Sequence, residues 1–312
     1  MKKNLFIGSL LLKYPYFPSP LAGLTDLPFR KLLADIGYCG ALFTEMISVE
    51  GLIRKNPQTL KMLEILKGDI PNFVQLFGNE SSKFREAIKI IEDKFEYDGI
   101  DLNAGCPVKK VVKKGAGAYL LKDTKNLREI VRAIREETKK PFTVKIRLGF
   151  DKINVFEVVK IIEGEGADAI TVHFRTKKDG YSSPARWEFA QKLRELVKIP
   201  VIGNGDILKA QDAKEKLRYA DAIMVGRGIV INPDLFKEIV TGKKESALKI
   251  LNRFIFYMEE FYPSVKYLPR LKAFLRYFTK GEGISKIKKK EIFLSKDYDF
   301  VKEETLKIFS EL

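Results

Sequence analysis

"VIGNGDILKAQDAKEKLRYADAIMVGRG", residues 201–228, places two short apolar runs on either side of a helix-forming stretch, and each run closes on glycine beside a charged residue. That pattern reads as a parallel strand, a crossover helix and a second parallel strand. The unit recurs upstream. Apolar runs at 16–22 (YFPSPLA), 40–48 (GALFTEMIS), 72–78 (NFVQLFG), 99–105 (GIDLNAG), 142–149 (FTVKIRLG) and 169–175 (AITVHFR) alternate with amphipathic stretches such as LPFRKLLADIG, KFREAIKIIEDKF, NLREIVRAIREETK, VFEVVKIIEGEG and RWEFAQKLRELV. Eight strand candidates in this alternation predict an α/β fold, a TIM (β/α)8 barrel over residues 1–240, in preference to an open doubly wound sheet.

Beyond residue 240 the alternation stops, and residues 241–312 read as a small all-α domain. SALKILNRFIFYMEEFY, VKYLPRLKAFLRYFTKG and DFVKEETLKIFSEL are its helices, joined by KGEGISKIKKKE. In the second, Leu268, Leu271, Leu275 and Phe278 form an apolar stripe, with Lys266, Arg270, Lys272 and Arg276 away from its centre.

The net charge of +16 over 312 residues predicts a surface that attracts polyanions. The tail contributes 16 Lys and Arg against 10 Asp and Glu, so barrel and tail are both basic and one nucleic acid can touch both. No apolar run is long enough to span a bilayer. The start, MKKNLFIGSLLLKYPYFPSP, has the lysines of a secretory leader, but Lys13 interrupts its apolar stretch and no small-x-small cleavage site follows. A cytoplasmic monomer, independent of metal and membrane, is expected: two cysteines and one histidine build neither a disulfide framework nor a four-ligand zinc site.

In a barrel the C-terminal ends of the strands converge on one mouth. Those ends carry Ser19-Pro20-Leu21-Ala22, Glu45, Gln75, Asn103 and Cys106, Lys145 and Arg147, His173 and Arg175, Asn204-Gly205-Asp206 and Gly226-Arg227. The glycines of the last two strand ends let backbone N–H groups approach a phosphate, and Arg227 adds a charge-assisted contact. Lys145 alternates into an apolar strand, where a buried ammonium needs an anion; a reduced flavin ring offers one. Gln75 can bond ring edges through both ends of its amide. His173 and Arg175 share a face. Cys106 can be a packed filler, a nucleophile, a metal ligand or a proton donor; Cys39, at the opposite end of the barrel, reads as a small hydrophobe.

Taken together, Ser19-Pro20-Leu21-Ala22-Gly23-Leu24-Thr25-Asp26 with Pro28-Phe29-Arg30, Gln75-Leu76-Phe77-Gly78, Asp101-Leu102-Asn103-Ala104-Gly105-Cys106-Pro107, Val144-Lys145-Ile146-Arg147, His173-Phe174-Arg175-Thr176, Asn204-Gly205-Asp206 and Gly226-Arg227-Gly228 resemble the tRNA-dihydrouridine synthases. The resemblance runs from residue 16 to about 240 and continues more weakly over the helical tail. It implies a barrel with a helical domain that binds FMN and reduces the 5,6 double bond of tRNA uridines, using NADPH or NADH. It further implies that Pro20, Leu21, Ala22, Gln75, Lys145, His173, Asn204, Gly205, Asp206, Gly226 and Arg227 hold FMN and that Cys106 is the catalytic acid. On that reading Asn103 and Arg175 meet the uridine, Lys109, Lys110, Lys113 and Lys114 meet the RNA backbone beside a pliable Gly115-Ala116-Gly117 lid, and Arg270, Lys272 and Arg276 grip the tRNA elsewhere. Three departures stand out: Leu21 where the family commonly has Met, Phe174 where it has Gly, and Arg186 where it has an acid. Two other readings use the same residues: an FMN barrel acting on a free pyrimidine, and an RNA-binding protein without chemistry.

Overall fold

A computed structural model describes residues 5–280 and 284–311; the first four residues of the leader-like start, three of the expected 280–291 joint and Leu312 lie outside them. The strands are β1 (Leu5–Ile7), β2 (Leu10–Leu12), β3 (Tyr16–Pro18), β4 (Leu42–Phe43), β5 (Ile47–Ser48), β6 (Asn72–Phe77), β7 (Gly99–Asn103), β8 (Phe142–Arg147), β9 (Ala169–His173), β10 (Val201–Asn204) and β11 (Ala222–Val225). The order β3-β11-β10-β9-β8-β7-β6-β4 is parallel throughout, and β5 continues β4 along β6. Eight sequence-predicted strands are therefore present in a nearly closed barrel, flanked by helices. Nearly every residue of the barrel strands β3–β11 is buried, as expected of a sheet covered on both faces.

Two of the expected strands are shorter or broken. The run 40–48 divides because Thr44 turns its hydroxyl to the Gln75 N–H at 3.0 Å, replacing a ladder bond with a side-chain one. The run 16–22 stops at Pro18, which frees Ser19–Ala22 to line the mouth. At the seam between β3 and β4 no ladder forms; the Gly40 N–H reaches the Tyr16 carbonyl at 2.8 Å. A Cβ on Gly40 would meet the Tyr14 carbonyl oxygen at 2.1 Å, so only glycine permits that approach.

The closure of the barrel floor has no counterpart in the sequence pattern. The apolar start forms an antiparallel hairpin, β1 with β2, that inserts Ile7 and Leu12 among Phe17, Phe43, Phe73, Ile202 and Met224. Phe43 and Phe73 stack with centroids 5.2 Å apart. Strands of three residues are too short for a periodicity to reveal.

The tail has four α-helices among the described residues, Ala247–Phe261, Tyr267–Phe278, Lys286–Leu294 and Tyr298–Ser310. The third corrects the expectation of a mere joint at 280–291: Ser285 accepts the Lys288 N–H and caps a helix there. An apolar cluster runs from the barrel's outer helix Leu27–Ile36 into the tail, with Phe274 between Phe29 (6.2 Å) and Phe254 (4.0 Å). Its polar hinge is an ion pair. Arg270 donates from Nε to Asp26 at 2.5 Å and from Nη2 at 2.7 Å, and the Asp26 carboxylate also takes the Tyr262 hydroxyl at 2.8 Å.

Candidate active site

At the C-terminal mouth of the strands lies a cavity of about 360 Å³, within the range of about 300–1,000 Å³ usual for small-molecule sites. Pro20, Leu21, Ala22, Asn103, Cys106, Lys145, His173, Asn204, Gly205, Asp206, Gly226 and Arg227, all expected there, line it. Each reaches the mouth for one reason: parallel strands deliver their last residues to a common rim.

Lys145 comes from β8 and is half-buried, its side chain lining the cavity. Its Nζ has one partner, the Asn204 Oδ1 at 3.1 Å, whose amide is fixed in turn by donating to the Met224 carbonyl at 2.6 Å. Burial, with the neighbouring Arg147 guanidinium, pulls the ammonium down to about 8. His173 at the end of β9 is held well below its ordinary value, by burial first and then by Arg147, Lys145, Arg175 and Arg227, so its imidazole is neutral at pH 7. Its Nδ1 is buried without a hydrogen-bond partner. A strong donor with unused capacity and the neutral His173 ring therefore line one cavity.

The last two strand ends form the adjoining wall. Gly205 has φ +128°, and Asp206 has φ +50°, a left-handed conformation costly for a non-glycine residue. Arg175 holds it there: its Nη2 donates to both Asp206 oxygens at 2.8 and 2.7 Å, and the Ala185 N–H donates to one of them at 2.8 Å. Burial alone would raise the Asp206 carboxyl, yet these bonds keep it below its ordinary value. Gly226, whose Cβ would meet nothing closer than the Ser19 Cβ at 3.9 Å, leaves open space at the wall. Arg175 braces this wall and donates to the Ser183 carbonyl at 2.6 Å, with its Nη1 buried and unpartnered; it supports the wall and does not line the cavity.

Cys106 sits on the loop after β7, half-buried at the rim. Asn103 Oδ1 accepts the Gly105 and Cys106 N–H groups at 3.2 and 2.9 Å, and the Cys106 carbonyl accepts the Ala118 N–H at 3.0 Å. Burial raises the thiol above its ordinary value, only partly offset by the Val108 N–H, Arg147 and Lys145. It is protonated at neutral pH. Gly117, at φ +61°, has no room for a Cβ, which would lie 2.8 Å from the Cys106 carbonyl oxygen. Of the Gly115-Ala116-Gly117 stretch expected as a pliable lid, Ala116 and Gly117 are thus buried beneath the thiol and Gly115 is half-buried. Cys39 is buried outside the mouth, its thiol pushed up to about 12.

Other expected residues lie elsewhere. Gln75 is fully buried below the floor, with its amide used at both ends by Asp101 (2.6 Å) and Asn103 (2.9 Å), and does not line the cavity. Arg270 does not face solvent; it is locked to Asp26. Lys272 donates to the Phe293 carbonyl at 2.9 Å and closes the end of helix Lys286–Leu294. Lys109, Lys110, Lys113 and Lys114 are exposed beside the Cys106 loop, and Arg276 is exposed next to Tyr277, which lines the cavity.

Arg147, Met46 and Tyr181 also line the cavity. In the sequence Arg147 reads only as a strand end; its Nε donates to the Gly105 carbonyl at 2.8 Å and ties β8 to the Cys106 loop. Tyr181 sits 55% exposed, with the Arg227 and Arg147 guanidiniums 4.8 and 5.8 Å from its ring centre. No local signal foretells it, since the ring arrives on a long loop. Arg186, on the same loop, pairs with Asp179 and folds the loop back on itself.

Residues 18–305 match the family described as Dihydrouridine synthase (Dus). The chain belongs to the dihydrouridine synthase family. As a synthase of this family it is an oxidoreductase acting on a CH–CH bond. A probable tRNA-dihydrouridine synthase of Rickettsia conorii is 38% identical over 287 residues, covering 89% of this chain and 83% of the relative. The tRNA-dihydrouridine synthase B of Pasteurella multocida is 38% identical over 238 residues, covering 74% and 70%. Among solved structures, histamine dehydrogenase from Rhizobium sp. 4-9 superposes with a TM-score of 0.61 at 16% identity, over 82% of this synthase and 50% of that chain. Morphinone reductase superposes with a TM-score of 0.56 at 13% identity, over 78% and 91%. These two likenesses show the barrel fold alone.

Proposed function

We propose that the chain is an FMN-dependent tRNA-dihydrouridine synthase that reduces the C5–C6 double bond of specific uridines in tRNA, in the cytoplasm, with Cys106 as general acid. The observation that carries this reading is that a protonated, half-buried thiol and a half-buried lysine with unused donors share one cavity.

The residues present fit the cofactor. Lys145 and the His173 ring, both lining the cavity, match the edge of a flavin ring, and the wall at Gly205, Gly226 and Arg227, open at Gly226, matches its phosphate. Pro20, Leu21, Ala22, Asn204 and Asp206 complete the cradle. When bound and kept reduced by NADPH or NADH, FMN would supply the hydride for uracil C6. Cys106 then gives its proton to C5, and the thiolate left behind is stabilised by Arg147 and Lys145, which lower its energy through their charge. Asn103, at the rim, orients the uracil edge.

Uridine must leave its stack to enter a recessed cavity, so the RNA has to be held outside it. The four exposed lysines of the Cys106 loop and Arg276 provide cations without carboxylate partners among the described residues. Replacing Lys109, Lys110, Lys113 and Lys114 together by Gln is expected to weaken tRNA binding and to flatten the log–log salt slope by about 3–4. Titrating tRNA affinity against salt measures this; an unchanged slope removes the lysines from the interface.

Lys145→Met separates stability from binding. The folded-state value of about 8 lies below the ordinary value of about 10.4, so burying the ammonium carries a stability cost that applies in full below pH 8 and is relieved as pH climbs toward 10.4. The variant without flavin is therefore expected to melt no lower than the parent at pH 7, while its FMN affinity falls by at least about tenfold, one lost charge-assisted contact. Calorimetry and equilibrium dialysis check the two effects, and unaltered FMN affinity contradicts the assignment. The whole reading is tested by incubating the purified protein with unmodified tRNA, FMN and NADPH or NADH. Uridines gaining two hydrogens by mass spectrometry support it, and equal activity on free uridine transfers the reading to a free-pyrimidine reductase.

A further inference from the structure

Beneath the cavity floor, a line of side chains runs from a buried charge to the backbone of the Cys106 loop. Asp101 on β7 is fully buried and accepts the Thr143 hydroxyl at 2.5 Å and the Gln75 Nε2 at 2.6 Å. Gln75 Oε1 accepts the Asn103 Nδ2 at 2.9 Å, and Asn103 Oδ1 accepts the N–H groups of Gly105 and Cys106. No member of the line touches the mouth except Asn103.

The line has a direction. An ionised carboxylate only accepts, so Gln75 must present its NH2 to Asp101 and its carbonyl oxygen to Asn103. Asn103 must then present its NH2 to Gln75 and its oxygen to the loop. From the other end, two backbone N–H groups only donate, and they demand the same orientation of Asn103. Both ends agree on one arrangement. We infer that Asp101 is a positioning residue: it fixes the orientation of the Gln75 and Asn103 amides and through them the place of Cys106 at the cavity rim. Burial raises the Asp101 carboxyl to about 6, against the bonds from Gln75 and Thr143 and the charge of Lys145, so at neutral pH it remains the acceptor the arrangement requires.

The inference rests on Cys106 being the acid only for its effect on the reaction; the placement of the loop is independent of it. The test exchanges the polarity of the first link. Gln75→Glu sets two carboxylates against each other at Asp101; the variants and the parent are compared at a pH high enough that the pair holds no shared proton, where two acceptors face each other and the line loses its bond. Adding Asp101→Asn restores a donor facing the introduced carboxylate, whose other oxygen still accepts from Asn103. The single variant is expected to raise the rate of Cys106 alkylation by iodoacetamide at least about fivefold and to lower kcat at least about tenfold, with KM for tRNA changed less than about twofold, a loss equal to that of one buried hydrogen bond. The double variant is expected to return both readings to within about threefold of the parent. Circular dichroism and retained FMN show that each variant is folded; should Gln75→Glu not fold, Gln75→Met supplies the broken line. Unchanged alkylation in the single variant, or a double variant as damaged as the single, overturns the inference. Alkylation that follows the prediction while kcat does not move upholds the placement and removes Cys106 from the chemistry.

Discussion

Cys106→Ala is expected to lower single-turnover reduction of tRNA uridine by about 10²–10⁴, the contribution of a positioned proton donor, while the protein still binds FMN and still oxidises NADPH or NADH. The two half-reactions separate because the thiol, on the loop after β7, faces the cavity from one rim, whereas Lys145, His173 and the glycine wall belong to β8–β11. Stopped-flow absorbance reads flavin reduction, and mass spectrometry of the tRNA reads product. The pH profile carries a sign. An acid acts in its protonated form, and burial raises this thiol, so its contribution is expected to hold through neutrality and to fall only as pH passes the raised value. The Ala variant loses the thiol's limb, while a separate limb from Lys145, pulled down to about 8, is expected to survive. A variant that reduces uridine at the parental rate excludes the thiol as the donor.

Asp26→Ala is expected to cost about 3–5 kcal/mol of stability, the penalty for stranding one partner of a buried pair, and the largest effect on folding of any single substitution proposed. Asp26 is 4% and Arg270 8% exposed, so solvent does not screen them. The carboxylate also caps helix Leu27–Ile36 through the Phe29 N–H and takes the Tyr262 hydroxyl. Without it, the Arg270 guanidinium keeps only the Leu24 carbonyl at 2.8 Å, and Arg30 nearby, already buried with unpartnered nitrogens, loses its strongest attraction. Urea unfolding measures the loss as a lowered midpoint. The double variant Asp26→Leu with Arg270→Met is expected to be more stable than Asp26→Ala, because removing both charges removes the desolvation penalty. A single variant within about 1 kcal/mol of the parent shows that the pair does not hold tail to barrel.

These two expectations differ in where they could be read. The Cys106 loop was legible because the barrel imposes a rule on sequence: strands buried on both faces read as apolar runs, and polar residues directly after them must face the mouth. Twelve of the expected site residues line one cavity for that reason. Gln75 obeyed the same rule and still missed the cavity, because Asp101 behind it and Asn103 above it consumed its amide. A strand position says which face a side chain occupies, and not how far down the lumen a hydrogen bond will hold it.

The sequence by itself determined the alternation of strand and helix, the family, the convergence of Lys145, His173, Asn204, Gly226 and Cys106, and the helical character of the tail, since all of these follow from local periodicity and motif order. Only the tertiary structure decided that the apolar start closes the barrel floor, that Lys286–Leu294 is a helix, and that Arg270 turns inward to Asp26, 244 residues away. The reason is physical. Periodicity separates the apolar face of a helix from its polar face, but a buried charge is placed by its counter-charge, and that partner becomes visible only when distant segments have packed together.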